Sequence, residues 1–324
     1  MAPGGIPWAA LTSEVMSMKK FFRTYGMLVI LAVMFIVLYS SLPTFRNPQN
    51  LLNLLQQNAV NAVIASGMTL VIITGGIDLS AGSTAALAGM AAAAVMVRHG
   101  IALGVVAGLV AAAAAGLLNG LLISKVGIVP FVATLGVQII TKGILFISTN
   151  ATPIYGLPLE YMTVGLGSIG PFPIATSIAV VVAVIMSVVL KHTPFGQYVL
   201  ALGGNEDATR LSGIDVDRTK TAVYTIAAIL AGIGGLILLG QTNTGQPQAA
   251  SGYELNAIAA VVVGGTPLSG GQGSIVNTII GALVLGLISN ALNLMNVSPY
   301  WQPAVTGLII LVAVGIDTVS RKRK

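Results

Sequence analysis

Apolar stretches of near membrane-spanning length, separated by short breaks rich in glycine and proline, dominate this sequence. A helix of about 20 residues, rising about 1.5 Å per residue, crosses the hydrocarbon core of a bilayer. By this measure ten helices are predicted, near residues 24–42, 52–74, 80–97, 101–124, 128–148, 174–190, 221–240, 253–264, 274–294 and 302–318. The eighth is too short to cross alone, so it is either a half-helix or extends into its flanking loops.

The composition indicates that lipid is the main solvent of the chain. Hydrophobic residues make up 55% of it and charged residues 7%, whereas soluble domains carry about 25% charged residues. The predicted fold class is therefore all-α, a polytopic transmembrane helical bundle of about ten spans with short or broken helices at the Gly-rich breaks. The chain has no cysteine, which excludes disulfides and thiolate metal ligands. No metal site, cofactor or nucleic-acid partner is predicted.

The basic residues are distributed unevenly over the two sides of the predicted bundle. With the N-terminus in the cytoplasm, all of the 15 lysines and arginines except Arg46, Arg98 and Lys142 fall on the cytoplasmic side. The positive-inside rule interprets this asymmetry as a chain with both termini in the cytoplasm. Residues 1–18 show no periodicity and are predicted to be disordered, and residues 19–324 are predicted to form one transmembrane domain.

Two of the predicted helices carry a stripe of uncharged polar residues. The stripes comprise Asn58, Asn61 and Thr69 on the second helix and Thr134, Gln138 and Thr141 on the fifth. Polar side chains in lipid usually face the bundle interior or a water-filled path. Amides and hydroxyls suit a neutral polyhydroxylated solute, so these residues are a predicted translocation path. The alternative is that they form hydrogen bonds between helices.

The two Gly-rich breaks resemble each other. Residues 75–83 read GGIDLSAGS and residues 264–274 read GGTPLSGGQGS, which indicates a diverged internal repeat. Gly264 and Gly265 are predicted to interrupt the helical structure at the second break, because glycine costs about 1 kcal/mol within a helix.

Two carboxylates near the breaks are predicted to cap helices. Asp78 precedes the third helix at the position of an N-cap, and Glu254 completes an S-x-x-E capping box with Ser251. A charge on a solute or proton path is the alternative interpretation of Asp78.

Motifs typical of enzymes lack the context that their chemistry needs. Residues 268–272 read LSGGQ, a string with which ATP-binding-cassette ATPases contact nucleotide, but no Gly-Lys dipeptide and hence no phosphate-binding G-x-x-x-x-G-K-[ST] loop is present. Residues 165–170 fit G-x-G-x-x-G but follow no predicted strand. His99 and His192 stand alone. No enzymatic activity is predicted.

The longest charged stretch, residues 191–220, is predicted to form a cytoplasmic loop that contains a two-turn helix. Its signals are a break at Gly203 and Gly204, an N-cap at Asn205, acids at Glu206 and Asp207, and a terminating Gly213. Such a short helix is unstable alone, so it must pack against the rest of the loop or in a groove of a partner protein.

Three long strings resemble the ribose/xylose-type sugar permeases of bacterial ABC importers. They are NAVNAVIASGMTLVIITGGIDLSAGS, ALGGNEDATRLSGI and GYELNAIAAVVVGGTPLSGGQGSIVNTIIGALVLGLISNALNLM, and the resemblance extends from about Leu51 onward. It implies a permease in the bacterial cytoplasmic (inner) membrane, driven by separate ATPase subunits through alternating access. It also implies a second permease copy and a periplasmic or extracellular sugar-binding protein as partners.

The resemblance further implies a coupling element that docks in the ATPase. It comprises Gly203, Gly204, Asn205, Glu206, Ala208, Arg210, Leu211, Gly213 and Ile214. The family usually differs from this sequence at the positions of Gly270 and Gln272.

Two other functions remain open at this point. A permease of the same architecture could carry another small solute, such as a branched-chain amino acid or a sugar-like signal. An amino acid would bring two charges, for which only Lys142 and Asp78 are candidate partners. An ion-coupled secondary transporter is disfavoured because intramembrane carboxylates are scarce and because the short cytoplasmic helix has no obvious partner within the chain.

Overall fold

Helices make up nearly all of the regular structure in residues 26–322, which the computed structural model describes apart from the side chains of residues 313–314 and 316–322. The longer helices are α1 (Gly26–Ser41), α2 (Pro48–Ile73), α3 (Ala81–His99), α4 (Ile101–Ser124), α5 (Pro130–Thr149), α7 (Ile174–His192), α10 (Val216–Thr242), α12 (Ile275–Leu294) and α13 (Trp301–Lys322). The shorter ones are α6 (Met162–Leu166), α8 (Pro194–Gly204), α9 (Glu206–Leu211) and α11 (Tyr253–Val263), with 3₁₀ turns at Pro43–Arg46 and Leu159–Tyr161. The predicted disordered segment, residues 1–18, lies outside the described part.

The fold class is confirmed as a polytopic helical membrane protein. Among the described residues, six helices are long and apolar enough to span a bilayer, namely α3, α4, α5, α7, α10 and α12. Helix α2 has 26 residues but carries several amides. Helix α11 has 11 residues and is about 16 Å long, so the predicted eighth helix is a half-helix.

Glycine allows α4 to lie directly against its neighbours. A Cβ on Gly108 would be 2.7 Å from the carbonyl oxygen of Ala88 in α3, and one on Gly120 would be 2.7 Å from the Cα of Thr221 in α10. Both glycines are buried, as are Gly104, Ala112 and Gly116 on the same face. Because lipid gives no hydrophobic drive for helices to associate, close backbone packing of this kind supplies much of the attraction.

Helix α10 is the centre of the bundle and contacts α2, α3, α4 and α6. Gly235 faces the backbone of Ala85 in α3, and Gly232 faces Ala112 in α4. From the α2 side, Gly67 packs on Ala227, where a Cβ would be 2.9 Å from the Cα of Ala227. In contrast, α4, α5 and α7 present many exposed apolar side chains on their outer faces, as is typical of helices that border lipid.

The bundle has two ends, which we name by the short helices found there. The α9 end holds α8, α9, the α2–α3 and α11–α12 connections and the start of α10. The α6 end holds α6 and a two-residue hairpin of β1 (Ser168–Ile169) with β2 (Phe172–Pro173). The G-x-G-x-x-G string lies there, where Gly165 packs on the backbone of Gly240 and Gly170 (φ +60°) makes the hairpin turn.

Replacing Gly235 by alanine should destabilise the protein by about 1–3 kcal/mol, because the new Cβ overlaps the fixed backbone of Ala85. Gly136→Ala is the matched control, since a Cβ there meets no atom within 4 Å. Heating the detergent-purified variants and following the loss of the monodisperse peak by size-exclusion chromatography measures the difference. Equal melting temperatures would contradict the packing role of Gly235.

Candidate functional site

A cavity of about 450 Å³ lies between α2, α11, α12 and α13. Its amide and hydroxyl lining comprises Gln57, Asn58, Asn61, Ser251, Tyr253, Asn256, Ser289, Asn290, Asn293, Gln302 and Thr306. None of the described residues that line it is charged. Since α12 starts at the α9 end and the lining uses the second half of α12 and the start of α13, the cavity lies towards the α6 end.

Asn61 is a buried polar residue of this lining. Its side chain is only 8% exposed, and its Oδ1 has no hydrogen-bond partner among the described residues. Leaving a buried acceptor unpaired costs about 1–3 kcal/mol. Asn58 lies one turn earlier on the same face of α2 and packs against Gly286 of α12. The Asn61 Oδ1 is itself enclosed, so a solute hydroxyl could reach it only if the wall of the cavity moved.

Only part of the predicted translocation path lines this cavity. Asn58 and Asn61 do, whereas Thr69 is buried between α2 and α12, where its hydroxyl lies 2.8 Å from that of Thr278. Thr69 follows Asn61 by eight residues, so it lies about 12 Å further along α2 and nearer the α9 end. Its hydrogen bond matches the alternative interpretation, a contact between helices.

The polar stripe of α5 faces a different region. The Thr134 hydroxyl accepts from the backbone N–H of Leu79 at 3.1 Å, and Gln138 donates to Glu254 at 2.9 Å. Thr141 is buried as well. Through Thr134 and Gln138, α5 contacts the α2–α3 connection and the start of α11. None of the three residues is part of the cavity lining. The cavity thus contains Asn58 and Asn61 of the predicted translocation path, and the path itself stays a prediction.

Sequence reasoning missed most of the amides that complete the cavity. Asn290 and Asn293 are three residues apart on α12 and so share a face, a signal available from the sequence. Asn290 also forms a reciprocal amide pair with Asn50 of α2, at 2.9 and 3.2 Å. Asn256 and Gln302 lie in the first turns of helices, where polar residues are ordinarily interpreted as caps.

Asp78 stabilises the turn before α3 and is not its N-cap. The N-cap is Ser80, and Asp78 Oδ1 accepts from the Ser80 backbone N–H at 2.8 Å and from its hydroxyl at 2.6 Å. Asn119 of α4 donates to the same hydroxyl at 2.7 Å. The prediction placed the cap two residues early, because an Asx turn and an N-cap use the same residue types.

Glu254 does not form the predicted capping box with Ser251. The N-cap of α11 is Gly252, which makes no side-chain cap hydrogen bond. Glu254 is buried, accepts from Gln138 through Oε1, and its Oε2 packs against Gly82 of α3. The carboxylate therefore links α5, α3 and α11 in the bundle interior.

The two Gly-rich breaks end their helices with the same turn. At the first, the N–H of Gly75 (φ +77°) donates to Ile72 and that of Gly76 to Val71. At the second, the N–H of Gly265 (φ +87°) donates to Val262 and that of Thr266 to Val261. This is the hydrogen-bond pattern of a Schellman motif, so the two breaks of the predicted repeat share their geometry.

The charged loop forms the predicted short helix with the predicted ends. The Asn205 side chain accepts from the N–H of Ala208 at 2.9 Å, and Gly213 (φ +82°) follows the helix. Gly203 and Gly204, however, are the last residues of α8. The interruption is at Asn205, whose backbone is extended.

Helix α9 has partners within the chain, which corrects the expectation that it has none. Glu206 pairs with Lys220 of α10 at 2.7 Å, and Arg210 pairs with Asp217 at 3.1 Å. Asp217 also pairs with Lys125, which follows α4. The hydrogen bond with Asp217 raises the pKa of the Arg210 guanidinium. Ion pairs thus attach one side of α9 to α10.

The side of α9 that carries Leu211 is exposed. Leu211 is 90% exposed, whereas Thr209 is buried. Ala208, Gly213 and Ile214 lie on the same short segment. Leu211 therefore presents an apolar side chain to the outside of the bundle, next to Arg210.

Comparison with known proteins identifies related chains over most of the sequence. The family described as "Branched-chain amino acid transport system / permease component" matches residues 50–314. The ribose import permease protein RbsC of Escherichia coli (strain K12) is 41% identical over 317 residues, which cover 95% of this chain and 99% of the relative.

Two further relatives are similar over nearly as much of the chain. RbsC of Bacillus subtilis (strain 168) is 44% identical over 279 residues, covering 85% of this chain and 86% of the relative. The L-arabinose transport system permease protein AraH of Escherichia coli (strain K12) is 35% identical over 309 residues, covering 95% and 94%. No solved structure matches the chain significantly.

Replacing Glu254 by methionine should destabilise the protein by about 1–3 kcal/mol, because the buried Gln138 amide loses its acceptor. Glu254→Gln should stay close to the parent, since its amide oxygen still accepts. Thermal unfolding of the two purified variants in detergent distinguishes them. The structural role would be refuted by a methionine variant as stable as the glutamine variant.

Proposed function

Because the chain belongs to the family of branched-chain amino acid transport system permease components, we propose that it is the permease subunit of an ATP-driven importer for a monosaccharide. The similarity to permeases named for ribose and L-arabinose supports this solute class. The family description names a different solute, so the choice between sugar and amino acid must come from the chemistry of the cavity.

The uncharged lining of the cavity is the observation that carries the proposal. An amino acid is a zwitterion, and each of its charges would need an opposite charge or several aligned donors once it left water. The lining offers amides and hydroxyls, which exchange hydrogen bonds with a polyol at little net cost. Its volume of about 450 Å³ lies within the ordinary range for small-molecule sites, about 300–1,000 Å³.

Transport through this permease would be driven from the α9 end by cytoplasmic ATPase subunits. The chain lacks a phosphate-binding loop, and Leu211 offers an exposed apolar contact on a helix held in place by Glu206 and Arg210. In this proposal the segment from Gly203 to Ile214 is the coupling element. Gly203 and Gly204, the last residues of α8, join it to the bundle, and the residues from Asn205 onward contact the ATPase. ATP binding moves this element, and the cavity opens to one side as it closes to the other.

The proposed orientation follows from charge. Lys125, Lys191, Arg210, Arg218 and Lys220 lie at or beside the α9 end, so this end would face the cytoplasm of a bacterial inner membrane, with both termini. The α6 end would then receive solute from a periplasmic or extracellular sugar-binding protein. A second permease copy would complete the membrane unit.

The solute class can be tested by ATP-dependent uptake into proteoliposomes that contain the permease with its ATPase and binding-protein partners. We expect an aldopentose or aldohexose to accumulate and leucine not to. Asn61→Asp should lower sugar uptake at least tenfold, because it places an unpaired carboxylate in the cavity.

The matched control is Asn53→Asp, on the same helix but exposed, which should transport normally. Leucine accumulation, or full sugar uptake by the Asn61→Asp variant, would count against the proposal.

The contact with the ATPase can be tested at Leu211. Leu211→Asp should abolish ATP-driven uptake and co-purification of the ATPase, because a charge replaces the exposed apolar contact. The amount of permease in the membrane should not change, since Leu211 is 90% exposed. Leu159→Asp, an exposed leucine towards the α6 end, is the control and should retain the ATPase. If both variants bind the ATPase equally, Leu211 is not part of the contact.

A further inference from the structure

Three separate segments of the chain meet backbone to backbone at Gly203. The N–H of Gly271, in the α11–α12 connection, donates to the carbonyl oxygen of Ile73 at the end of α2, at 2.9 Å. A Cβ on Gly203 would collide with that same carbonyl oxygen and would be 2.5 Å from the nitrogen of Gly271. Gly203, at the end of α8, therefore lies directly on the hydrogen bond that joins the two breaks.

The second break is adapted to this contact. Gly270 and Gly271 both have positive φ, at +79° and +78°. A Cβ on Gly270 would be 2.5 Å from the oxygen of Ile73, and one on Gly271 would be 3.3 Å from the oxygen of Gly203. The LSGGQ string thus has a structural explanation, because its glycines allow three backbones to approach one another.

Contacts between backbones cannot be relieved by side-chain rotation, so they transmit displacement with little loss. Gly203 is two residues before Asn205, the N-cap of α9. From the junction, α2 leads to Asn61, α11 leads to Asn256, and α12 leads to Asn290. The short helix at the bundle end and the walls of the cavity are therefore connected through one point.

We propose that Gly203 is the positioning residue through which displacement of α9 reaches the cavity, acting by its backbone contact with Ile73 and Gly271. This inference rests on the proposed function. It gives Gly203 a different role from the contact surface at Leu211, because Gly203 faces the bundle and Leu211 faces outward. Movement of α8 would shift both breaks together, as a rigid unit, and with them the helices that line the cavity.

The neighbouring glycine provides a matched control. A Cβ on Gly204 meets no atom within 4 Å, although Gly204 also belongs to the last turn of α8. Gly203→Ala and Gly204→Ala thus make the same chemical change in adjacent positions of one helix. Only the first displaces the junction.

Accessibility of the cavity can be measured with one introduced thiol, because the chain has no cysteine. Asn293→Cys, at an exposed position of the cavity lining, would react with a membrane-impermeant maleimide. The complex with its ATPase is compared with and without a non-hydrolysable ATP analogue. We expect the ATP analogue to change the rate at which the maleimide modifies the Asn293→Cys protein. The same change is expected when Gly204→Ala is added to that protein.

Adding Gly203→Ala should reduce that nucleotide-dependent change at least tenfold while the ATPase still co-purifies in normal amount. An undiminished change in this variant would overturn the inference. If the Asn293→Cys protein shows no response to nucleotide, the proposed function fails and the inference fails with it. This result differs from an undiminished response in the Gly203→Ala variant, which contradicts the inference alone.

A milder variant keeps the test decisive if Gly203→Ala does not fold. A Cβ on Gly271 would be 3.3 Å from the carbonyl oxygen of Gly203, so it presses on the same junction but less severely than a Cβ on Gly203. Gly271→Ala should therefore fold and weaken the nucleotide response of the Asn293→Cys thiol. A full response in Gly271→Ala, with Gly203→Ala unable to fold, would contradict the inference.

Discussion

Close approach of helix backbones at glycine is the constraint on which the rest of this structure depends. In lipid, an apolar side chain gains no hydrophobic free energy when it moves from contact with lipid to contact with a neighbouring helix. Short-range dispersion between closely packed helices must therefore supply the attraction. Gly67, Gly108 and Gly235 bring α2, α4 and α3 against α10 or one another at backbone distance. This close packing fixes α2, α3, α4 and α10 as one block, against which the remaining helices are arranged.

The cavity exists because one part of the bundle departs from this close packing. Helix α11 is about half the length of a span, and its N-terminus contributes Ser251, Tyr253 and Asn256 to the lining. A break in a helix is tolerated at membrane depth where its polar groups meet other protein groups or a water-filled space. The half-helix thus provides polar groups in the bundle interior that a full span of apolar residues would not.

Local signals predicted the elements well and the polar contacts poorly. The fourth helix has the predicted bounds, and Asn205 caps α9 as expected, since both depend on residues within a few positions of each other. Glu254 was misassigned because its partner, Gln138, lies 116 residues away. For the same reason Thr69 and Thr278 were not recognised as a pair. A helical stripe shows which residues share a face, but not what that face meets.

The sequence by itself determined the long helices and their approximate bounds, because each helix satisfies its backbone internally and its length must match the bilayer. It also determined the turns at Gly75, Gly213 and Gly265, where positive φ favours glycine. It did not predict the short helices α6 and α8. Only the tertiary structure decided which amides line a cavity, which carboxylates are enclosed, and that Gly203 touches both breaks. Those facts depend on contacts between segments far apart in the chain, for which no local pattern provides a signal.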